Sequence, residues 1–170
     1  MDDSKHKFDK LIEGVTYREW VKGEYVYLVK FIRNLEGILG KERTHEIVAK
    51  HNMQLEIESR QKSMDALEKP FESLEDVKNW FHKMKKSKVA QMCQTNNDVP
   101  SPPGTYRFCV TECLWASVFR AFDAADIGNL MMCRIDFGAA KIYSPKLTLN
   151  REKTVMDGKE CCAFTYTWDE

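Results

Sequence analysis

Long apolar runs are missing from this chain. No stretch approaches the roughly 18 residues that a membrane-spanning helix needs, and the first ten residues, MDDSKHKFDK, carry charges where a secretory leader would carry an apolar segment. A net charge is missing as well. Lys plus Arg and Asp plus Glu number 26 each in 170 residues, so no global field draws the chain to a polyanion. Nucleic acid and membrane are therefore not expected as partners, and a cytoplasmic location is. The one basic run, Lys83 to Lys88 (KMKKSK), lacks interleaved aromatics and reads as an exposed helix end placed favourably on the helix dipole. C-x-x-C pairs are also absent, although the cysteines number six. In a reducing compartment these are expected to be thiols and not a disulfide framework. Cys161 and Cys162, as neighbours on a strand, point to opposite faces and are poorly placed to bridge each other.

What is present is an ordinary globular composition, 43% hydrophobic and 31% charged, in a length suited to one domain. The fold class expected is α+β over residues 1–170. Residues 1–88 are mainly helical, and 89–170 form a strand, helix, helix and hairpin part with a small antiparallel sheet. Trp20, Val21, Tyr25, Leu28, Val29, Ile32, Leu35 and Leu39 recur at helical spacing, which predicts a helix over 17–39 ended near Gly40. A second helix is expected from Lys41 to about Glu68, stopped by Pro70. Ser73 with Asp76 three residues later resembles a capping box and opens a third helix through Leu74, Val77, Trp80, Phe81 and Met84. His45 and His51 sit on charged helical segments and read as solvated side chains.

Beyond the basic run, Val89 to Thr95 alternates as a strand would, and Asn96 to Gly104 (NNDVPSPPG) is turn chemistry. Tyr106, Phe108 and Val110 alternate as a strand that runs into a helix at Cys113. A helix capped by Asp126 carries Ile127, Leu130, Met131, Ile135 and Ala139, with Cys133 and Asp136 inside it. Leu147 to Met156 and Cys161 to Trp168 read as a terminal hairpin joined at Asp157-Gly158-Lys159.

Candidate chemistry concentrates between Cys113 and Phe164. Cys133 and Asp136 stand three residues apart and share one helix face, so they can act on one bound molecule: a thiol that attacks carbon beside a carboxyl that moves the proton. The carboxylate alone would raise the thiol's pKa, so a cation is needed to activate it. Cys162 and Phe164 share a face of the last strand and enter the same pocket if that face covers Cys133. Packing of buried thiols is the bland reading. Metal binding is the second, with zinc held by Cys109, Cys113, Cys133 and Cys162, although the spacing is not that of a standard site.

The run from Glu112 to Tyr166, ECLWASVFRAFDAADIGNLMMCRIDFGAAKIYSPKLTLNREKTVMDGKECCAFTY, resembles the L-2-amino-thiazoline-4-carboxylic acid hydrolase family. The resemblance rests on a cysteine that begins a helix (Cys113), a C-x-x-D (Cys133, Asp136), a proline turn (Ser144-Pro145-Lys146), a threonine before a glycine turn (Thr154, Gly158) and a closing C-x-F (Cys162-Ala163-Phe164). Phe31 to Leu39 with Gly40-Lys41-Glu42 resembles the less specific N-terminal half. Ser144 stands where asparagine is more typical, in a turn that tolerates the exchange.

The resemblance implies a small-molecule substrate and no required cofactor. It implies hydrolytic opening of a thiazoline ring to N-carbamoyl-L-cysteine, with Cys133 as nucleophile or orienting thiol and Asp136 as proton carrier. Cys113, Cys162 and Thr154 would contact substrate, and Arg134 or Arg107 would hold its carboxylate. Two alternatives share the same residues. One is a small-ligand sensor like the vinyl-reductase-type domains. The other is soft-metal chemistry patterned like organomercurial lyases. Monomer and homodimer both stay open, because the aromatic stripe Trp20, Tyr25, Tyr27 and Phe31 could pack within one chain or across two.

Overall fold

A computed structural model describes residues 14–67 and 69–169. The charged first ten residues and Glu68, the expected end of the second helix, lie outside those residues. The expected α+β class is what the chain adopts. Helix α1 (Tyr17–Leu39) is opened by a capping box in which Thr16 accepts from Glu19 N–H and the Glu19 carboxylate reaches back to Thr16. Gly40, at φ 82°, ends it and starts α2 (Lys41–Asp65). Ser73 caps α3 (Leu74–Lys85) as its spacing predicts, while Asp76, shorter than the usual Glu, reaches back to Glu72 N–H.

The region after α3 departs from the expected alternation. Lys88–Cys93 is a short helix, α4, and the strand β1 runs over Gln94–Asp98, taking in the last two residues of the expected strand and the first three of the stretch that reads as turn. Ser87 explains the first change, since its hydroxyl accepts from Ala90 N–H and starts a helical turn. The second follows from pairing: the polar residues of β1 sit at the sheet edge against β2 (Thr105–Cys113), with a register shift between Thr95 and Asn96.

Cys113 then precedes α5 (Leu114–Ala121), as expected. The helix expected next, with Asp126 as cap, is three pieces: α6 (Ala125–Gly128), a π-helical turn (Asn129–Cys133) and α7 (Ile135–Tyr143). Asp126 lies inside α6, where it bonds Arg33 and Lys41. Arg134 N–H reaches Asn129 O at 2.9 Å, five residues back, and Asn52 of α2 donates to Met131 O at 2.7 Å, satisfying a carbonyl of the widened turn.

The hairpin strands are β3 (Leu147–Arg151) and β4 (Cys162–Trp168), antiparallel but shorter than expected. The turn at Asp157-Gly158-Lys159 lies within a longer connection, fixed by Thr154 bonding Asp157 and by Gly158 at φ 80°. Sheet order is β1-β2-β4-β3. One sheet face, carrying Tyr106, Phe108, Val110, Phe164, Tyr166, Leu147 and Leu149, is buried in one core with Val77 of α3 and Ala139, Ala140 and Tyr143 of α7. A second core joins α1 to α5 and α6 through Val29, Ile32, Phe119 and Ile127, and Cys113 packs against both. Among the described residues no helix is long and apolar enough to cross a membrane.

Candidate active site

A cavity of about 380 Å³ opens between the inner sheet face, α2, α3 and α7. Its wall holds Cys113, Cys133, Cys162 and Asp136, so the structure brings together the candidate thiols and the carboxyl. Cys133 comes from the end of the π-helical turn and Asp136 from the first turn of α7. Cys162 comes from the first inward position of β4, where its sulfur accepts from Val155 N–H at 3.2 Å.

The cation that the thiol and carboxyl need is Arg151. Its side chain is only 4% exposed, bonds Asp136 directly and donates to Cys133 O at 2.7 Å. The guanidinium lies 5.1 Å from the Phe164 ring centroid and 5.0 Å from that of Phe137. A second cation, Arg60 of α2, bonds the Tyr143 hydroxyl. Its Nε lies 3.3 Å from Glu56 Oε2 but makes no hydrogen bond. Lys85 of α3 reaches the same wall, held by Asp98 at 2.9 Å and the Tyr106 hydroxyl at 2.8 Å.

Sequence reasoning misses Arg151, yet a signal for it exists. Leu147 and Leu149 face inward, and strand alternation places Arg151 on the same face. A charged residue in an apolar parity marks a site. Arg60 gives a fainter signal, because it shares a helix face with Met53, Glu56 and Met64 in an otherwise polar helix.

Three of the expected contact residues fall elsewhere. Arg107 lies on the outer sheet face, because Tyr106 and Phe108 take the inward parity; it is exposed and bonds Pro100 O. Arg134 follows Cys133 by one residue, which rotates it about 100° around the helix, and it is exposed outside the cavity. Thr154 is buried in the turn with Asp157 and does not reach the wall. Of the four cysteines weighed for zinc, Cys109 turns away from the cavity to meet Cys161. Among the described residues the single group with metal-ligand spacing is Glu36, His45 and Asp126, which Arg33 and Lys41 already neutralise.

Electrostatics of the wall follow from burial. The Cys133 thiol is pushed up to about 12 by burial, which Arg151 opposes and Asp136 reinforces. Burial raises Cys113 and Cys162 as well. The Asp136 carboxyl lies above the usual carboxylate range, again through burial, with Arg151 and Arg60 pulling it down. Asp136 lines the cavity. The site thus stores a protonated thiol beside an acid whose proton affinity is raised, an arrangement suited to moving one proton between thiol, carboxyl and bound molecule.

Fold and cavity together define an α+β domain with a thiol, carboxyl and guanidinium set facing one cavity. A family model, L-2-amino-thiazoline-4-carboxylic acid hydrolase, matches residues 20–166, and the chain belongs to that family. No curated protein matches at a significant level. Among solved structures the chain is similar to the phenol-responsive sensory domain of the transcription activator PoxR with phenol. The likeness has a TM-score of 0.50 and 12% identity over 84% of this chain and 73% of that one, and it is a likeness of fold.

Proposed function

We propose that the protein hydrolyses a small cyclic amidine of the thiazoline type, with Cys133 as nucleophile and Asp136 as proton carrier. The observation that carries this reading is the convergence of Cys133, Asp136 and the buried Arg151 on one cavity. A five-membered amidinium ring brings its own positive charge beside Cys133, and that charge lowers the thiol's pKa as Arg151 does. The thiol proton passes to Asp136 and the sulfur bonds to the ring carbon between nitrogen and sulfur. The ring carbon–sulfur bond then breaks, and Asp136 returns the proton to the departing sulfur. Water adds to the same carbon and Cys133 leaves as a thiol. For 2-amino-thiazoline-4-carboxylate the product is N-carbamoyl-L-cysteine, and no step calls for a cofactor. Arg60, which lines the cavity beside the Tyr143 hydroxyl, is the cation assigned to the substrate carboxylate.

The test is a panel of thiazolines incubated with the protein and read by mass spectrometry. Cys133→Ser and Asp136→Asn each abolish ring opening while circular dichroism stays unchanged; full turnover by both variants sinks the mechanism. A second reading, a ligand-sensing domain, is favoured by the aromatic wall, in which Phe108 and Phe164 stack at 4.7 Å, and by the likeness to a domain solved with phenol. It predicts tight binding without turnover, with Cys133 dispensable for binding.

A further inference from the structure

Three cysteines, Cys93, Cys109 and Cys161, take no part in the cavity, and two of them meet on the outer sheet face. Cys109 projects from β2 on the outer parity shared with Arg107 and Thr111, and it is half-buried. Cys161 is the last residue before β4, so no strand pairing holds it in register. Cys109 pairs across the sheet with Ala163, which makes Cys161 its diagonal neighbour, and the two sulfurs stand 3.0 Å apart. A disulfide needs about 2.05 Å, so the side chains already converge and a shift of about 1 Å at the unpaired end closes the gap. The only cluster with metal-ligand spacing among the described residues contains neither cysteine. No third ligand atom therefore joins the pair, and the geometry favours sulfur–sulfur chemistry over metal binding.

We propose that Cys109 and Cys161 are a redox-modification site that forms a reversible disulfide by exchange with a low-molecular-weight disulfide. Cys109, the more accessible sulfur, attacks one sulfur of the small disulfide and releases the other half as a thiol. Cys161 then attacks Cys109 in the mixed disulfide, forming the protein disulfide and releasing the second half as a thiol. Two protein thiols are oxidised and one small disulfide is reduced to two thiols. The roles follow from the surroundings. The Cys161 thiol is held up at about 11, first by its hydrogen bond with Cys109, so it keeps its proton. Lys153, paired with Glu160 at 2.5 Å, places a positive charge within range of both sulfurs. The site is separate from the proposed catalytic chemistry and stands whether or not ring opening is found.

The experiment exposes the reduced protein to mixtures of oxidised and reduced glutathione, quenches with acid, alkylates the remaining thiols and maps peptides without reduction. Two of the six thiols are expected to disappear together in one cross-linked pair of peptides containing Cys109 and Cys161, and dithiothreitol restores both. Cys161→Ser traps Cys109 as a lasting glutathione adduct, whereas Cys109→Ser yields no cross-link. A cross-link between any other pair, a lasting adduct on Cys109 in the unsubstituted protein, or full alkylation of both residues after oxidation overturns the proposal.

Discussion

Arg151 does two things: it neutralises Asp136 and it anchors the carbonyl of Cys133. A buried ion pair contributes little net stability as a pair, but removing one partner strands the other charge at a cost of about 3 kcal/mol or more. Arg151→Met is therefore expected to lower the unfolding free energy by about 3 kcal/mol, measured by urea titration, and adding Asp136→Asn should return more than half of the loss. A double variant no more stable than the single one would show that packing of the arginine stem, not the stranded carboxylate, is what counts. Cys133 gives a second prediction. Held at about 12 by burial, it should react with iodoacetamide at pH 8 roughly a thousandfold more slowly than an ordinary thiol near 8.5. Its rate should still be climbing at pH 10, as peptide mass mapping at a series of pH values will read. Cys133 and Asp136 were legible in the sequence because a three-residue spacing on a helix fixes their proximity. Their cation was missed, because Arg151 lies fifteen residues beyond Asp136, and its parity with Leu147 and Leu149 marks it as inward without tying it to Cys133.

At the scale of elements, two glycines in helices show opposite demands. A β-carbon at Gly128, where α6 meets the π-helical turn, would stand 2.5 Å from Met156 Sδ and 2.8 Å from Phe119 Cγ. Both residues are fully buried and have nowhere to retreat. Gly37 in α1 has no atom within 4 Å of that position. Gly128→Ala is expected to destabilise by about 2 kcal/mol through overpacking. Gly37→Ala should stabilise by roughly 0.5–1 kcal/mol through helix propensity, both read from thermal or urea unfolding. A neutral Gly128→Ala would mean that the junction of α6 and the π-helical turn is looser than its packing indicates.

Helices α1, α2 and α3 were legible because an amphipathic period, a glycine stop and a serine cap are local signals. The strand β1 was legible only at Gln94 and Thr95, since Asn96, Asn97 and Asp98 have turn composition and become a strand only through hydrogen bonds to β2. The π-helical turn was hidden for a similar reason, because the group that satisfies its carbonyls is Asn52, far off in α2.

For the whole molecule, acid stability depends on which carboxyls have charged partners. Asp126 ties α6 to α1 and α2, with Arg33 at 2.8 Å and Lys41 at 2.7 Å. Burial works to raise its pKa, but hydrogen bonds from Arg33 and Lys41 outweigh that and hold it far below the usual carboxylate range. A depressed folded pKa means that the unfolded chain binds the proton first. The contribution of Asp126 is therefore complete above the ordinary value of about 4 and is lost as the pH falls toward the folded value. Asp136 has the opposite sign: its folded pKa is raised, so its ionisation weakens the fold as pH rises from that ordinary value through the folded one. Both partners of Asp126 are about a third exposed or more, and solvent screening limits its share to about 1 kcal/mol. Asp126→Asn should therefore cost about 1 kcal/mol at pH 7, less in high salt. The urea midpoints of the variant and the unsubstituted protein should converge as the pH is taken from 5 down to 2.5. Curves that stay parallel over that range would show that Asp126 supports the helix junction by shape alone, without help from its charge.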